Sequence, residues 1–490
     1  MQKAHIKPSG EHQQDTLLMK FGGTSMGTPQ AMGQVVQIIS QARQEWSRVV
    51  VVVSALATVT NLLLDSADHA ARGDLQPCQD GEIRLRHLHG VIADALVANP
   101  EQCLQVKYDI DQLVGNFTNL CRAIAILGEA TPRALDAVAG LGERMSVRLL
   151  AAALESSAVP AQYVEATRLI ITDDRFQSAY PDFNATAQCT RDVLEPLLAQ
   201  GQIPVITGFI AATPDGITTT LGRGGSDYTA GILGAVLPAS DVWIWTDVDG
   251  VMSADPRLVS EARTIPDITY REIAELAYYG AKVLHPKTIR PLVDAGIGLR
   301  ICNTFNPQHP GTRLIPDDPA SNGKRRDEPE IIKAVSAIRD QKLVTVEGRG
   351  MLGVPGVAAR TFGAVASTGT SVPLITQASS EQSICFAVPV ESVVGVLAAL
   401  EKTFAAELSD GDIDRVWATE GVSIITAVGV GMIHTPGVAG RLFTALGSSG
   451  VNVIAIAQGS SEVSISLVVS SQDTEAAVRS VHELILNGRA

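Results

Sequence analysis

Leu17-Leu18-Met19-Lys20-Phe21 runs directly into Gly22-Gly23-Thr24-Ser25 near the start of this chain of 490 residues. The apolar run predicts a buried strand, and the two glycines let backbone N–H groups approach an anion closely beside the charge of Lys20. A phosphate-binding turn at the strand end is one interpretation, and a plain glycine turn with a surface lysine is the other. The pattern Gly-x4-Gly-Lys-Ser/Thr does not occur in the sequence, so the turn is not a P-loop.

Strands and helices alternate along the chain after this turn. The segment 31–42 has helical character, residues 65–143 are predicted to be mainly helical, and short apolar runs predict further strands. These runs are Arg48–Val53, Ile203–Thr207, Val242–Thr246 and Leu299–Cys302. Because continuous apolar strands separated by helices are typical of sheets covered on both faces, we predict an α/β fold with a mostly parallel sheet sandwiched by helices.

Composition argues against several classes of protein. The chain has 52 acidic and 38 basic residues and a net charge of -14, so no nucleic-acid partner is expected, because phosphate backbones bind to basic surfaces. No apolar run approaches the roughly 20 residues that a bilayer requires, so no membrane partner is expected. The six cysteines contain no Cys-x-x-Cys pair, which is typical of a reducing compartment without a zinc site. We therefore expect a cytoplasmic protein with no metal site of its own.

A polar stretch with proline and glycine divides the chain at residues 316–330. Such stretches usually mark linkers between domains. We expect a flexible leader at residues 1–15 and a catalytic domain at residues 16–315. After the linker, two smaller modules are expected at residues 331–420 and 421–490.

The two C-terminal modules repeat each other with a constant spacing of 81 residues, as between Gln377 and Gln458. Pro355-Gly356-Val357-Ala358 in the first copy recurs as Pro436-Gly437-Val438-Ala439 in the second. A repeat of this length indicates a duplicated small domain rather than a solenoid. Each copy predicts a strand, a glycine-rich turn, a helix, two paired strands and a second helix, and this order resembles the βαββαβ fold of ACT modules.

The second copy lacks one strand. The paired strands are predicted at Ser371–Thr376 with Ser383–Val388, and at Asn452–Ala457 with Ser464–Val469. After its last strand the second copy has only a helix, Thr474–Leu486, and four more residues. We therefore expect the run Ile332–Ile338, which precedes the first copy, to complete the sheet of the second.

A second glycine-rich turn, Gly222-Arg223-Gly224-Gly225-Ser226-Asp227, precedes a helix predicted at residues 228–237. Arginine suits bidentate recognition of a carboxylate. Asp227 is open to two interpretations, because an aspartate near the start of a helix often caps it. Three more motifs have polar side chains that, taken singly, are more often solvated or structural than catalytic. They are Trp245-Thr246-Asp247-Val248-Asp249-Gly250, Gly280-Ala281-Lys282-Val283-Leu284-His285-Pro286 and Gly142-Glu143-Arg144-Met145-Ser146.

These five motifs, in their order along the chain, strongly resemble those of aspartate kinases in the amino-acid kinase family. The resemblance covers residues 17–315, and the ACT-like repeats extend it to nearly the whole chain. It implies an enzyme that transfers the γ-phosphoryl group of ATP, used with Mg²⁺, to the β-carboxylate of L-aspartate. The product would be 4-phospho-L-aspartate, on the way to lysine, methionine and threonine. Because the attacking carboxylate is already an anion, catalysis would consist of positioning and charge neutralisation without a general base.

The resemblance also implies roles for individual residues. Lys20 would stabilise the transferring phosphoryl group, and Asp227 would hold Lys20 in place. The residues expected at the nucleotide are Lys20, Gly22, Gly23, Thr246, Asp247, Arg257 and Lys282. The residues expected at aspartate are Ser54, Thr60, Glu143, Arg223 and Ser226, with Glu143 at the ammonium group. Met252 stands where some relatives carry a tyrosine beside the nucleotide.

The segments around Gln377 and Gln458 resemble those of threonine-responsive kinases, in particular the kinase half of bifunctional aspartate kinase–homoserine dehydrogenases. The resemblance implies feedback inhibition by threonine bound at these glutamines, with lysine as the rival effector. No dehydrogenase part is expected after Ala490. A homodimer or a dimer of dimers through the ACT-like region is expected, and the alternative that the repeats serve only dimerisation stays open.

Three other functions compete with this interpretation. Gly348-Arg349-Gly350-Met351-Leu352-Gly353 formally matches the dinucleotide fingerprint, but the second copy has His434 in place of the third glycine. Each module is also too short for a doubly wound domain. A related kinase acting on acetylglutamate or glutamate is disfavoured by the paired ACT-like region. A non-catalytic amino-acid sensor is disfavoured by the presence of Lys20 and Asp227.

Overall fold

The computed structural model describes residues 15–280, 284, 286–317, 330–351, 354–377 and 382–486. The chain forms two compact units, one of residues 1–250 with 287–315 and one of residues 251–286 with 316–490. The segment 251–286 thus groups with the second unit, whereas the sequence analysis assigns it to a catalytic domain at 16–315. The domain boundaries given there stay a prediction.

The strands of the described residues share a numbering in chain order. They are β1 (Thr16–Phe21), β2 (Arg48–Val53), β3 (Ala161–Val164), β4 (Ile203–Thr207), β5 (Ile210–Ala212), β6 (Thr218–Thr220), β7 (Asp241–Thr246), β8 (Asp267–Thr269), β9 (Gly298–Asn303), β10 (Thr312–Ile315), β11 (Ala334–Glu347), β12 (Ile375–Gln377), β13 (Ser383–Pro389), β14 (Arg415–Ala418), β15 (Val422–Val428), β16 (Val453–Gln458) and β17 (Ser464–Ser470).

The α-helices are numbered in the same way. They are α1 (Gly23–Met26), α2 (Pro29–Glu45), α3 (Val59–Ala71), α4 (Gln76–Leu96), α5 (Pro100–Leu127), α6 (Pro132–Ala139), α7 (Leu141–Ser156), α8 (Phe183–Ala199), α9 (Gly225–Val236), α10 (Tyr270–Tyr278), α11 (Pro286–Asp294), α12 (Val357–Ser367), α13 (Val393–Thr403), α14 (Ala405–Asp410), α15 (Val438–Ser448) and α16 (Thr474–Leu486).

The first unit contributes seven strands to its main sheet, in the order β3-β4-β2-β1-β7-β9-β10. All neighbours from β3 to β9 are parallel, and β10 is antiparallel to β9. The central strands β1 and β2 are almost entirely buried, as continuous apolar runs covered on both faces require. The α/β fold with a mostly parallel sheet is therefore confirmed, and each predicted strand agrees with the structure to within one residue at either end.

Helices α2 to α7 pack with the sheet into one large apolar core that includes Phe21, Phe117 and Met145. The region predicted to be mainly helical, residues 65–143, consists of the end of α3, helices α4 to α6 and the start of α7. Several of these helices begin at an N-cap side chain followed by proline, such as Asn99 before Pro100. Proline suits this position because its missing N–H would have no partner in the helix.

The second unit is built around one antiparallel sheet in the order β12-β13-β11-β15-β17-β16, with β14 also paired to β11. The first half of β11 pairs with β15 (Ala334 opposite Val428), and its second half pairs with β13 (Glu347 opposite Ser383). The run Ile332–Ile338 therefore does complete the sheet of the second copy, and that prediction is confirmed. One continuous strand thus belongs to both ACT-type modules.

One strand of the second unit is shorter than predicted. The sequence suggests a strand over Ser371–Thr376, but β12 begins only at Ile375. Pro373 lacks a backbone N–H and so disfavours ladder pairing upstream of that point. The corresponding strand of the second copy, β16, has no proline and runs over six residues.

Two general expectations can be compared with the described residues. All six cysteines are free thiols. Within the described ranges, no helix combines the length and the apolar character needed to cross a membrane.

Candidate active site

The carboxyl ends of three neighbouring parallel strands define the site. β1 lies between β2 and β7, with Lys20 opposite Val52 on one side and Ile244 on the other. The chain therefore proceeds from β1 to strands on opposite sides of it. In open α/β sheets, ligands bind at such switch points, outside the carboxyl ends of the strands. Gly22, Ser54 and Asp247 each follow one of these three strand ends.

Lys20 is held at this edge by an ion pair. Its side chain is only 11% exposed, and its Nζ lies 2.5 Å from Asp227 Oδ1. Asp227 is in the first turn of α9, but no side chain caps that helix, whose N-cap is Gly224. The interpretation of Asp227 as a helix cap is therefore wrong. A partly buried lysine paired with one carboxylate keeps its ammonium group in a fixed place.

The pair opens into a cavity of about 560 Å³ within the first unit. Eight residues that the sequence analysis assigns to the site line this cavity. They are Lys20, Gly23, Ser54, Thr60, Glu143, Arg223, Ser226 and Asp227. The structure therefore brings together side chains from β1, α3, α7 and α9 with residues of the connecting turns.

Glu143 is the most deeply buried charged group in this cavity wall that lacks a full set of partners. It is 3% exposed, and its Oε2 has no hydrogen-bond partner among the described residues. Burial raises its pKa from 4.5 to about 7, against hydrogen bonds from the backbone N–H groups of Ala55 and Glu143 itself. A carboxylate of this kind fits a ligand ammonium group, because a cation would restore its preference for the charged form.

The turn that carries Arg223 is shaped by glycines. Gly222 and Gly224 have φ of 79° and 69°, which other residues rarely adopt. Arg223 itself is exposed and forms no hydrogen bond or ion pair with another described residue. Its guanidinium is thus available to a ligand carboxylate, and the start of α9 beside it adds the positive end of a helix dipole.

Of the residues expected at the nucleotide, Lys20 and Gly23 line the cavity, whereas Gly22, Thr246, Asp247 and Arg257 do not. Thr246 Oγ1 donates to Asp247 Oδ1 at 3.1 Å where β7 ends, but neither residue lines the cavity. The Gly22 N–H donates to Trp245 O at 3.3 Å, so this N–H already has a partner. Arg257 lies in the second unit, where its guanidinium pairs with Asp255 at 2.7 Å. Lys282 lies outside the described residues.

Sequence reasoning missed Asp136 and Gln177, which also line the cavity. Asp136 is 1% exposed and accepts hydrogen bonds from the backbone N–H groups of Gln177 and Thr220. Three non-glycine residues of the cavity wall, Thr58, Gln177 and Phe209, have positive φ values of 71°, 68° and 66°. Backbone strain of this kind is concentrated at functional sites, but the residue types alone give no signal of it.

The two glutamines assigned to effector binding occupy equivalent places in the second unit. Gln377 ends β12 opposite Ile384, and Gln458 ends β16 opposite Ile465. Both glutamines are exposed. The duplicated modules therefore present two similar polar positions at the ends of edge strands.

Comparison with known proteins identifies the family. The model of the amino acid kinase family matches residues 15–303, which is more than half of the chain. The chain belongs to the amino acid kinase family. The ACT domain model matches residues 344–404 and 425–484 of this amino acid kinase, in agreement with the duplicated modules of the second unit.

Individual relatives of this amino acid kinase include plant and bacterial proteins. A chloroplastic bifunctional aspartokinase/homoserine dehydrogenase 2 of Zea mays is 39% identical over 94% of this chain. The chain spans only 50% of the length of that maize protein. Lysine-sensitive aspartokinase 3 of Escherichia coli is 33% identical, and the match covers 96% of this chain and 98% of that protein.

A solved structure resembles the whole chain of this amino acid kinase. It is E. coli aspartokinase III in complex with aspartate and ADP, in the R-state. The two chains are 32% identical, with a TM-score of 0.78 and coverage of 96% of this chain and 99% of the other. The fold is therefore that of the amino acid kinase family followed by ACT-type modules.

Proposed function

We propose that the protein is an aspartate kinase, which transfers the γ-phosphoryl group of ATP to the β-carboxylate of L-aspartate. The observation that carries this proposal is the shared cavity of Lys20, Glu143 and Arg223. One buried carboxylate and one free guanidinium face the same space as a lysine at the end of the central strand. The ammonium group of aspartate matches the carboxylate of Glu143, and its carboxylates match the guanidinium of Arg223. The charge of Lys20 suits a phosphoryl group.

The reaction brings together two anions, so the chain must neutralise charge and hold the partners in line. MgATP supplies the phosphoryl group that the β-carboxylate of aspartate attacks, with ADP leaving and 4-phospho-L-aspartate as the product. Lys20 stabilises the negative charge of the transferring group, and Asp227 keeps Lys20 in place. The substrate carboxylate needs no general base, which agrees with the absence of a histidine from the described residues that line the cavity.

Aspartate is bound through both of its charged ends. Glu143 accepts hydrogen bonds from the ammonium group at Oε2, which has no partner among the described residues. Arg223 binds a carboxylate, supported by Ser226 and Thr60, and Ser54 lies close to the reacting groups. Because each contact opposes a charge of the substrate, an acceptor lacking a free ammonium group, such as acetylglutamate, would leave Glu143 buried without a partner.

The chemistry of the residues at the nucleotide side suits a polyphosphate. Lys20 and the turn of Gly22 and Gly23 offer a cation and close backbone approach. Thr246 and Asp247 are proposed to contact the nucleotide, together with Arg257 and Lys282. Mg²⁺ in kinases is held by the phosphates and one or two carboxylates. No group of three or more metal-ligating His, Cys, Asp or Glu side chains occurs in the part of the chain that the structure describes.

Regulation by an amino-acid effector is part of the proposal. The effector would be threonine, with lysine as the rival, bound near Gln377 and Gln458. The duplicated ACT modules support such a site, and their edge strands support association into a homodimer or a dimer of dimers. The protein is also proposed to act in the cytoplasm, at the first step towards lysine, methionine and threonine.

One coupled assay tests the proposal. ADP release is measured with ATP, Mg²⁺ and either aspartate, glutamate or acetylglutamate, and acyl phosphate is trapped with hydroxylamine. Turnover with aspartate alone is the expected result. Turnover that depends on glutamate or acetylglutamate instead would refute it. Addition of threonine or lysine to the same assay identifies the effector.

A further inference from the structure

Two buried carboxylates line the candidate active site, and their surroundings are opposite. Glu143 Oε2 has no hydrogen-bond partner among the described residues. Asp136, on α6, is 1% exposed, and both of its oxygens accept hydrogen bonds from the protein. Glu143 is therefore available to a ligand, whereas the oxygens of Asp136 already accept hydrogen bonds from Gln177 and Thr220 in the cavity wall.

Asp136 joins two segments that are far from it in sequence. Its Oδ2 accepts the N–H of Gln177 at 3.0 Å and the N–H of Thr220 at 2.9 Å. Its Oδ1 accepts the hydroxyl of Thr220 at 2.8 Å. Burial raises the pKa of Asp136, against the lowering effect of these hydrogen bonds. Because a buried N–H without an acceptor is costly, the carboxylate fixes both segments relative to α6.

One of these segments leads directly to Arg223, and the other packs against the turn that carries it. Thr220 ends β6, and only Leu221 and Gly222 separate it from Arg223. Gly222 packs closely on the other segment, since a Cβ at this position would lie 3.0 Å from Gln177 O. Gln177 itself has a positive φ of 68°, a conformation that the surroundings must hold in place. Movement of either segment would therefore move the turn that carries the guanidinium.

We infer that Asp136 is a positioning residue, which sets the place of Arg223 for the substrate carboxylate by clamping Gln177 and Thr220. This inference rests on the proposed function, because it takes aspartate as the ligand of Arg223. No direct contact with the substrate is assigned to Asp136, because both of its oxygens already accept hydrogen bonds from the protein. Because Glu143 would contact the substrate and Asp136 would act through Arg223, substitutions of these two residues should have different effects on the kinetics.

The first test is the Asp136→Asn variant. It keeps the shape of the side chain, but the amide has one acceptor oxygen in place of two, so it cannot accept all of the hydrogen bonds that the carboxylate accepts from Gln177 and Thr220. The KM for aspartate should rise about tenfold or more, because a buried acceptor is lost. The KM for ATP should stay within about twofold, and kcat should fall less than the KM for aspartate rises. Equal losses in kcat and in both KM values would indicate general disruption and would overturn the inference.

Asp173→Asn is the matched control. Asp173 lies on the same segment as Gln177 and accepts backbone N–H groups of Tyr180 and Arg175 at 2.8 and 3.3 Å. It does not line the cavity. This variant should keep a KM for aspartate close to that of the unmodified protein. A rise as large as that of Asp136→Asn would show that any loosening of the segment suffices, which contradicts a specific clamp.

A double-mutant cycle tests whether Asp136 acts through Arg223. Arg223→Ala alone should raise the KM for aspartate, and adding Asp136→Asn should raise it little further, because the guanidinium being positioned is already gone. Fully additive effects would overturn the inference. If Asp136→Asn does not fold, Thr220→Val takes its place in the cycle. It removes only the hydroxyl bond, so an increase of about threefold is expected.

A measurement without substrate separates this inference from the proposed function. Hydrogen–deuterium exchange should be faster at the amides of Gln177 and Thr220 in Asp136→Asn, and unchanged there in Asp173→Asn. Unchanged protection in both variants would refute the clamp even if the enzyme phosphorylates aspartate. An unmodified protein without aspartate-dependent activity would refute the proposed function and with it the role assigned through Arg223, whatever the exchange shows.

Discussion

The ammonium group of Lys20 and the carboxylate of Asp227 are 2.5 Å apart, although one residue lies near the end of the central strand β1 and the other in the first turn of α9. The side chains are 11% and 18% exposed, so solvent screens the pair only in part. The strand fixes the backbone of Lys20, and the ion pair fixes its flexible tip. A lysine that must meet a phosphoryl group at a defined point needs both constraints.

Removal of the Lys20 charge should abolish most of the catalysis. We expect Lys20→Ala to lower kcat by about 100-fold or more, because one preorganised group that stabilises transition-state charge typically contributes this much. Circular dichroism should show an intact fold. Lys107→Ala is a suitable control, since Lys107 pairs with Asp94 on the surface of the helical layer. Near-normal turnover of Lys20→Ala would contradict the assigned role.

Glu143 should determine the affinity for aspartate. We expect Glu143→Gln to raise the KM for aspartate about thirtyfold or more and to leave the KM for ATP unchanged, because a buried opposite charge is lost. In the unmodified protein the KM for aspartate should fall as the pH rises through about 7, since the carboxylate must be charged to bind an ammonium group. Steady-state kinetics from pH 6 to 9 measure both effects.

The control for this variant is Glu165→Gln, which alters a carboxylate paired with Arg144 and Arg148 outside the cavity. Its KM for aspartate should stay close to normal. An unchanged KM in Glu143→Gln, or a pH dependence that persists in this variant, would count against Glu143 as the ammonium ligand.

Glu143 should also make the stability of the protein depend on pH. Its pKa in the folded state, about 7, lies above the ordinary value of 4.5. The folded state therefore holds this proton more tightly, and the free energy of unfolding should fall as the pH rises from about 4.5 through 7. The shift corresponds to a loss on the order of 3 kcal/mol.

Glu143→Gln removes this titration, so the variant should gain stability relative to the unmodified protein between pH 5 and pH 8. Denaturant unfolding of both proteins at the two pH values measures the difference. A difference that is the same at pH 5 and pH 8 would show that the carboxyl group does not titrate with a raised pKa.

A buried ion pair should be important for the second unit. Glu272 is 0% exposed, its Oε2 lies 2.9 Å from Lys333 Nζ, and its Oε1 accepts the N–H of Val430 at 2.8 Å. We expect Glu272→Ala to destabilise the protein by about 3–5 kcal/mol, because it leaves the largely buried ammonium group of Lys333 with the backbone carbonyl of Asp267 but without an opposite charge. Urea unfolding followed by circular dichroism measures the loss.

Glu347→Ala is the comparison, since Glu347 pairs with Arg415 in a more exposed place on the same unit. Exposed pairs contribute little to stability, so its unfolding midpoint should barely move. If Glu272→Ala unfolded at the same urea concentration as the unmodified protein, the pair would have no structural importance.

Effector binding should depend on the glutamines at the ends of the two edge strands. We expect Gln458→Ala to raise the threonine concentration for half-inhibition about tenfold, because a side-chain hydrogen bond to the charged effector is lost. Inhibition is expressed relative to the rate without effector. Gln377→Ala should show whether the two copies contribute equally. Unchanged inhibition in both variants would exclude these glutamines as effector ligands.

The sequence predicts those features that depend on local pattern. Five strands of the first unit, β1, β2, β4, β7 and β9, follow from continuous apolar runs such as Val49–Val53. The duplication follows from identical short motifs spaced by 81 residues, the spacing of Gln377 and Gln458. The missing strand of the second copy could be predicted by counting elements. Eight of the residues that line the cavity could be named because the chain resembles a known family.

Features that depend on distant contacts could not be predicted. Asp136 contacts residues 41 and 84 positions away, and nothing in its own neighbourhood signals this. The ion pair of Asp227 with Lys20 likewise decides between two interpretations that local sequence leaves open. Positive φ at Thr58 and Phe209 could not be predicted either, since both residue types ordinarily avoid it.

The shared strand β11 has a consequence for how the ACT-type region can evolve. Its first half pairs with β15 of the second repeat, and its second half pairs with β13 of the first repeat. A gene rearrangement that removed or transplanted either repeat alone would expose the edge of a sheet, which invites aggregation. We therefore expect recombination to exchange the two repeats together, as one segment from Ala334 to α16.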